Sequence, residues 1–186
     1  MNARASNADR RETWVMALVF AGLLVLPLIG WGLVKAVSRP RRIPCYGGNA
    51  ISSCRAYAEA QFMYKKNDWD QDGKLTYAPT FPLLHTTPDE NGVPIQFIDA
   101  AFAGAGPGGA PKHGYLFRDM VSIAGQPIDW EKDCALCATP AVHGRTGYRT
   151  FIVKADGTVF GKDFGGSRFV DDFPADPTAE GWIIAE

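Results

Sequence analysis

Histidine and net charge are both scarce in this 186-residue chain, which carries three histidines and a formal charge of −1. His85, His113 and His143 are scattered, and no serine or cysteine stands in a nucleophile motif. No catalytic constellation assembles, so the chain reads as non-enzymatic. Charge is missing altogether from Trp14 to Val34 (WVMALVFAGLLVLPLIGWGLV), and that run meets the roughly 20-residue requirement for a bilayer-crossing helix. A small-residue cleavage site is missing behind it, and no lipobox precedes Cys45, where Ile43 and Pro44 stand. A cleaved signal peptide, whose apolar core spans only about 7 to 15 residues, is therefore disfavoured.

What is present sharpens that reading. Trp14 and Trp31 lie near the ends of the run, at the depth where indoles favour the interface, and Pro27 places a kink within it. Ala21, Gly22, Gly30 and Gly32 permit close approach of other membrane helices. Basic residues flank both ends, so the positive-inside rule does not orient the span. All four cysteines (Cys45, Cys54, Cys134 and Cys137) follow it, an even number in a small domain, as expected where disulfides persist. This places the domain in the periplasm, with the N-terminus cytoplasmic and the chain in a bacterial inner membrane. Residues 1–44 hold seven bases and two acids, a net +5, whereas the remainder carries twelve bases and eighteen acids, a net −6. The basic portion suits lipid headgroups, and the acidic domain argues against nucleic acid.

These features divide the chain into a tail (1–13), a transmembrane helix (14–37), a linker (38–48) and an extracytoplasmic domain (49–186). Asn49 suits an N-cap, and Ile51, Cys54, Ala58 and Phe62 recur at helical spacing behind it. The segment Ile95 to Ala103 reads as helical, GAGPGGAPKHG as a flexible loop, and Tyr115 to Met120 and Gln126 to Trp130 as strands. Two β-rich runs around Asp156-Gly157 predict a hairpin, because Asp-Gly accepts the positive φ of a tight turn. Phe117, Phe151 and Phe160 at strand spacing are core candidates.

The sharpest chemical motif is Asp68-Trp-Asp70-Gln-Asp72-Gly73-Lys74-Leu75-Thr76. It matches the first half of an EF-hand loop, with side-chain oxygens at Asp68, Asp70, Asp72 and Thr76 and the backbone carbonyl of Lys74 as candidate calcium ligands. Pro79 occupies the twelfth position, where a bidentate glutamate belongs, so Asp89 or Glu90 would have to complete the site. The competing reading is an Asx-rich turn whose carboxylates cap backbone amides. Cys134-Ala-Leu-Cys137 lacks the following histidine of a c-type haem and the βαβ context of a thioredoxin motif. Zinc through Cys134, Cys137 and His143 lacks a fourth ligand unless His113 or another cysteine supplies it. Disulfides are the simpler expectation, Cys45 with Cys54 tying the linker to the first helix and Cys134 with Cys137 closing a loop between strands, among the three pairings that four cysteines allow. No cofactor is required by any of these motifs, and calcium is the one candidate.

The order of parts resembles the type IV pilin and secretion pseudopilin superfamily, and more narrowly its bacterial membrane-anchored relatives. The resemblance covers residues 50 to 163 and rests on AlaGlnPheMetTyr in the first helix, AspxAspxAspGly, IleAspAlaAlaPhe, GlyTyrLeuPhe, and the terminal GlyTyrArgThrPheIleValLysAlaAspGlyThrVal hairpin. It implies an α+β fold, with an amphipathic helix packed on a small antiparallel sheet. The chain departs from the superfamily where filament assembly is encoded: no GlyPhe-type processing site precedes the span, and no glutamate lies five residues into it. The expectation is an accessory subunit of a larger integral-membrane assembly, an energy-transducing complex among the options, whose partners are other membrane subunits and lipid. A minor pseudopilin and a calcium-responsive envelope protein are the alternatives.

Overall fold

In the computed structural model, residues 47–69 and 71–186 are described, all of them within one compact unit, Ile43–Glu186. The expected anchor, with Trp14, Pro27 and Trp31, and the linker up to residue 46 lie outside the described residues, as do Cys45 and Asp70. Among the described residues no helix is long and apolar enough to cross a membrane.

Helix α1 spans Gly47–Tyr64 and begins two residues before the expected cap. Its buried face runs through Ala50, Cys54, Tyr57, Gln61 and Tyr64, a stripe at helical spacing. Phe62, placed on that face from the sequence, is 59% exposed, because the burying phase follows Tyr57 and Gln61 instead. The short helices α2 (Leu83–Thr86) and α3 (Ala100–Ala103) follow. The expected helix from Ile95 therefore shrinks to four residues. The carboxylate of Asp99 accepts the Phe102 amide at 2.7 Å and fixes the start of α3 there.

The main sheet contains β1 (Tyr115–Asp119), β4 (Ala135–Pro140), β5 (Thr150–Lys154), β6 (Val159–Lys162) and β8 (Ile183–Ile184), in the order β1-β4-β5-β6-β8. Every neighbouring pair in it is antiparallel. A second, three-stranded sheet joins β2 (Ser122–Ile123), β3 (Gln126–Pro127) and β7 (Asp172–Phe173). The expected strand from Gln126 to Trp130 ends at Pro127. Asp156-Gly157 closes the β5–β6 hairpin as expected, with Gly157 at φ +76 and its amide donating to Lys154 O.

The sheet is covered on both faces. Tyr115, Phe117, Cys134, Leu136, Ala138, Phe151 and Val153 pack towards α1. Ala135, Cys137 and Ile152 point the other way, into a cluster with Met120, Phe173 and Trp182. Phe117 and Phe151 are fully buried, while Phe160 is half-buried on the second face. The glycine-rich segment expected as a flexible loop is irregular and contains a tight turn: Gly109 donates to Gly106 O, and a Cβ at Gly109 would fall 2.1 Å from the carbonyl oxygen of Gly104. The chain is thus an α+β domain with a helix packed on a small antiparallel sheet.

Candidate binding groove

Beyond Tyr64 the chain leaves α1 through a turn closed by an aromatic side chain. The Trp69 indole N–H donates to the Tyr64 carbonyl at 2.6 Å, satisfying one of the helix's orphan acceptors. The Trp69 ring centroid lies 5.9 Å from those of Tyr64 and Phe97, and Tyr64 and Phe97 meet edge-on at 6.1 Å. The indole is therefore held from three sides, and its remaining surface forms a wall.

The segment facing that wall is stapled twice to the core. The fully buried Gln61 amide takes both backbone groups of Ala78: its Oε1 accepts from Ala78 N at 2.8 Å, and its Nε2 donates to Ala78 O at 2.9 Å and to the Tyr57 hydroxyl at 3.1 Å. Three residues on, both Asp119 carboxylate oxygens accept from the Phe81 amide, at 3.1 and 2.9 Å. Tyr77 N donates to Trp130 O at 2.8 Å, which brings the Trp130 loop alongside. Across the groove, residues 87–95 form a narrow hairpin in which Ile95 N donates to Thr87 O, and Asp89 Oδ1 accepts from the amides of Asn91 and Val93.

Two adjoining cavities result, with Trp69 and Pro88 in both walls. The smaller, of about 350 Å³, is lined by Tyr64, Trp69, Tyr77, Pro79, Leu83 and Trp130, and no charged residue among the described residues lines it. The larger, of about 690 Å³, carries Asp68, Asp89 and Glu90 together with the amides of Asn67, Gln71 and Asn91, and no basic residue among the described residues lines it. The two amides on Asp89, the Val93 amide foremost, hold its carboxyl below the usual range, so it stays charged at neutral pH.

Burial pushes the Asp119 carboxyl up to about 7 against an ordinary 3.8, the Phe81 amide opposing the shift. The folded state therefore holds this proton more tightly than the unfolded chain. The stabilisation is complete below about pH 4 and is lost as pH rises towards 7. Replacing Asp119 with asparagine, which still accepts from Phe81, is expected to flatten that part of the stability curve. Urea melts of both proteins at pH 4.5 and 7.5 check it, and an unchanged slope would show that Asp119 is not the group responsible.

The calcium candidates are only partly placed. Asp68 Oδ2 accepts from Gly73 N at 2.8 Å, its Oδ1 from Asp72 N at 3.2 Å, and Asp72 Oδ1 from Lys74 N at 2.9 Å. These carboxylates cap amides, as in the Asx-turn reading, and Gly73 takes φ +86. Thr76 lies beyond this turn, towards the Tyr77 side, and lines the apolar cavity instead. Among the described residues, no three His, Cys, Asp or Glu side chains converge on a metal position. His143 instead bonds Asp163 through Nε2 at 2.8 Å.

The expected Cys134–Cys137 staple does not form, because alternation along an extended strand sends the two side chains to opposite faces of the sheet. Cys134 opens the way into β4 rather than a loop. Cys54, Cys134 and Cys137 are free and fully buried, and the Cys45–Cys54 pairing lies outside the described residues. Burial pushes the thiols of Cys134 and Cys137 up to about 12 and that of Cys54 higher still. Iodoacetamide at pH 8 is expected to leave all three unmodified in the folded chain and to label them in urea. Peptide mass mapping reads the outcome, and rapid labelling of Cys137 in the native protein would contradict the burial of β4.

The family model described as Protein of unknown function (DUF2950) matches residues 34–171, most of the chain. The chain belongs to that family. Comparison with curated proteins gives no match, and neither does comparison with solved structures. The groove, between residues 64 and 130, lies wholly inside the DUF2950 match, whereas β7 and β8 fall beyond it. No local sequence pattern announces the groove, since its walls come from α1, the Trp69 turn, the Tyr77–Leu83 segment and Trp130. The one signal available was the density of aromatic and proline residues between Tyr64 and Pro88.

Proposed function

We propose that this DUF2950 chain is a non-enzymatic, single-span accessory subunit of a larger integral-membrane assembly, with a pilin-like domain on the periplasmic face. The observation that carries the reading is the charge-free apolar run from Trp14 to Val34, which ends where the family match begins. The run supplies the roughly 20 residues a spanning helix needs, and the family domain is the part it would hold at the membrane. The long N-terminal helix lying on an antiparallel sheet supports the pilin-like reading. The described cysteines are free and lend the periplasmic placement no support, so protease accessibility decides the side.

Copurification in mild detergent tests the proposal: the tagged full chain should bring down integral-membrane partners in stoichiometric amounts, and a lone monomer would overturn it. Protease added to spheroplasts should remove the domain. Trimming within residues 1–13, seen in an intact mass, would favour a minor pseudopilin instead.

A second reading, a calcium-responsive domain, has one observation in its favour: Asp68 and Gly73 already close the turn that the ligand spacing requires, and Asp68 shares a cavity with Asp89 and Glu90. Calcium at millimolar concentration should then raise the melting temperature where magnesium does not. Identical melts would remove this reading.

A further inference from the structure

We infer that the aromatic groove bounded by Trp69, Tyr77 and Trp130 is the docking site for an extended peptide segment of a partner protein, one that sets an arginine or lysine beside proline or aliphatic residues. The inference goes beyond the anchor reading and does not depend on it.

The groove is preformed. Trp69 is fixed by its bond to the Tyr64 carbonyl and by two ring contacts, Ala78 by the Gln61 amide, and Tyr77 by its bond to the Trp130 carbonyl. A ligand entering it pays little to order the walls. Rings and prolines with no charge among them favour a flat apolar body, and grooves of this lining accept proline-rich extended chains, whose backbone is already ordered.

Charge complementarity selects among apolar occupants. The adjoining cavity presents Asp68, Asp89 and Glu90 against no base among the described residues. Asp68 and Asp89 are held in place by backbone amides, while Glu90 is exposed and makes no hydrogen bond or ion pair with another described residue. A guanidinium or ammonium there meets carboxylates on one side and the Trp69 indole on the other, a favourable pairing for a cation.

At the Tyr77 end a cation is already in place: Lys65 Nζ lies 4.3 Å from the centroid of the Tyr77 ring. The bound segment therefore has a direction: its basic residue lies towards Glu90 and its proline or aliphatic residue towards Trp130. A neutral sugar would stack on the same rings without needing this polarity.

The test uses the full chain in mild detergent and a fluorescein-labelled peptide alternating proline and arginine, read by anisotropy. Saturable binding is expected, weakened roughly threefold to tenfold by Glu90→Gln or by raising salt from 50 to 300 mM, since exposed charge pairs are screened over that range. The same peptide with glutamine for arginine should bind at least about tenfold more weakly, as losing a charge-assisted bond implies. Trp130→Ala should abolish binding; because Trp130 is half-buried, Glu90→Gln serves as the variant that leaves the fold untouched. No saturation up to 1 mM, equal binding of the arginine-free peptide, or indifference to Glu90→Gln would each overturn the inference. A chain that binds the peptide yet copurifies with no membrane partner would sink the proposed function and leave this inference standing.

Discussion

Truncating Phe117 to alanine is expected to cost the domain about 3–5 kcal/mol, the range for removing a buried aromatic side chain and leaving a cavity behind it. The residue is completely buried. Its ring meets that of Phe102 edge-on with centroids 4.7 Å apart, and Phe102 in turn lies 5.8 Å from Phe81. The three rings thus link the stapled segment that ends at Phe81, α3 and β1 in one chain, with Phe102 in the middle. The backbone adds to this, since Phe117 N donates to Ala105 O at 2.8 Å and the residue pairs with Ala138 in β4. Rigid ring neighbours leave little room for collapse around the gap, which favours the upper part of the range. Phe160→Ala is the comparison, because that ring is only half-buried on the opposite face and should cost about half as much. Urea denaturation of both variants reads the difference. A loss below about 1 kcal/mol at Phe117 would mean that β1 does not close the core as described.

Elements whose sequence period matched their surroundings were legible in advance. The β5–β6 hairpin was readable because Asp156-Gly157 supplies a turn that few other pairs can adopt, and β1 because Tyr115 and Phe117 alternate with half-exposed partners. Helix α1 was legible as an element, but its phase was misjudged at Phe62, since Tyr57 and Gln61, a phenol and an amide, occupy the positions that an apolar stripe would claim. Strand β4 was not legible. All six of its residues are buried, so the alternation that marks a half-buried strand is absent, and its two faces are covered by separate parts of the chain, α1 on one side and Phe173 and Trp182 on the other. That same two-sided burial separates Cys134 from Cys137 and makes the sequence-based staple geometrically unworkable. The acidic turn stood out in the sequence, whereas the groove beside it did not. Trp69 stands between two carboxylates in the sequence, and only the fold brings Tyr77 and Trp130 next to it.

Gln61→Ala should prove comparably damaging, costing about 3–4 kcal/mol, for a different reason. The side chain is fully buried and lies on the apolar face of α1, where a polar group persists only if it is satisfied. Its two ends take the N–H and C=O of Ala78, so removing it leaves both backbone groups, and a bond to the Tyr57 hydroxyl, without their partner. Each buried group orphaned in this way costs about 1–3 kcal/mol, more than the net gain from making the bond. Gln61→Leu, which restores volume without the amide, should recover little of the loss, whereas Gln61→Asn, one methylene too short, should recover little more. The consequence extends to the groove. Ala78 lies between Tyr77 and Pro79, which both line it, so loosening Ala78 lets the Tyr77 ring drift from the Trp69 wall. Anisotropy with the proline–arginine peptide, at temperatures where Gln61→Ala remains folded, should therefore show weakened binding from a residue that touches no ligand. Full binding by the folded variant would show instead that the groove keeps its shape through the Tyr77–Trp130 backbone bond alone.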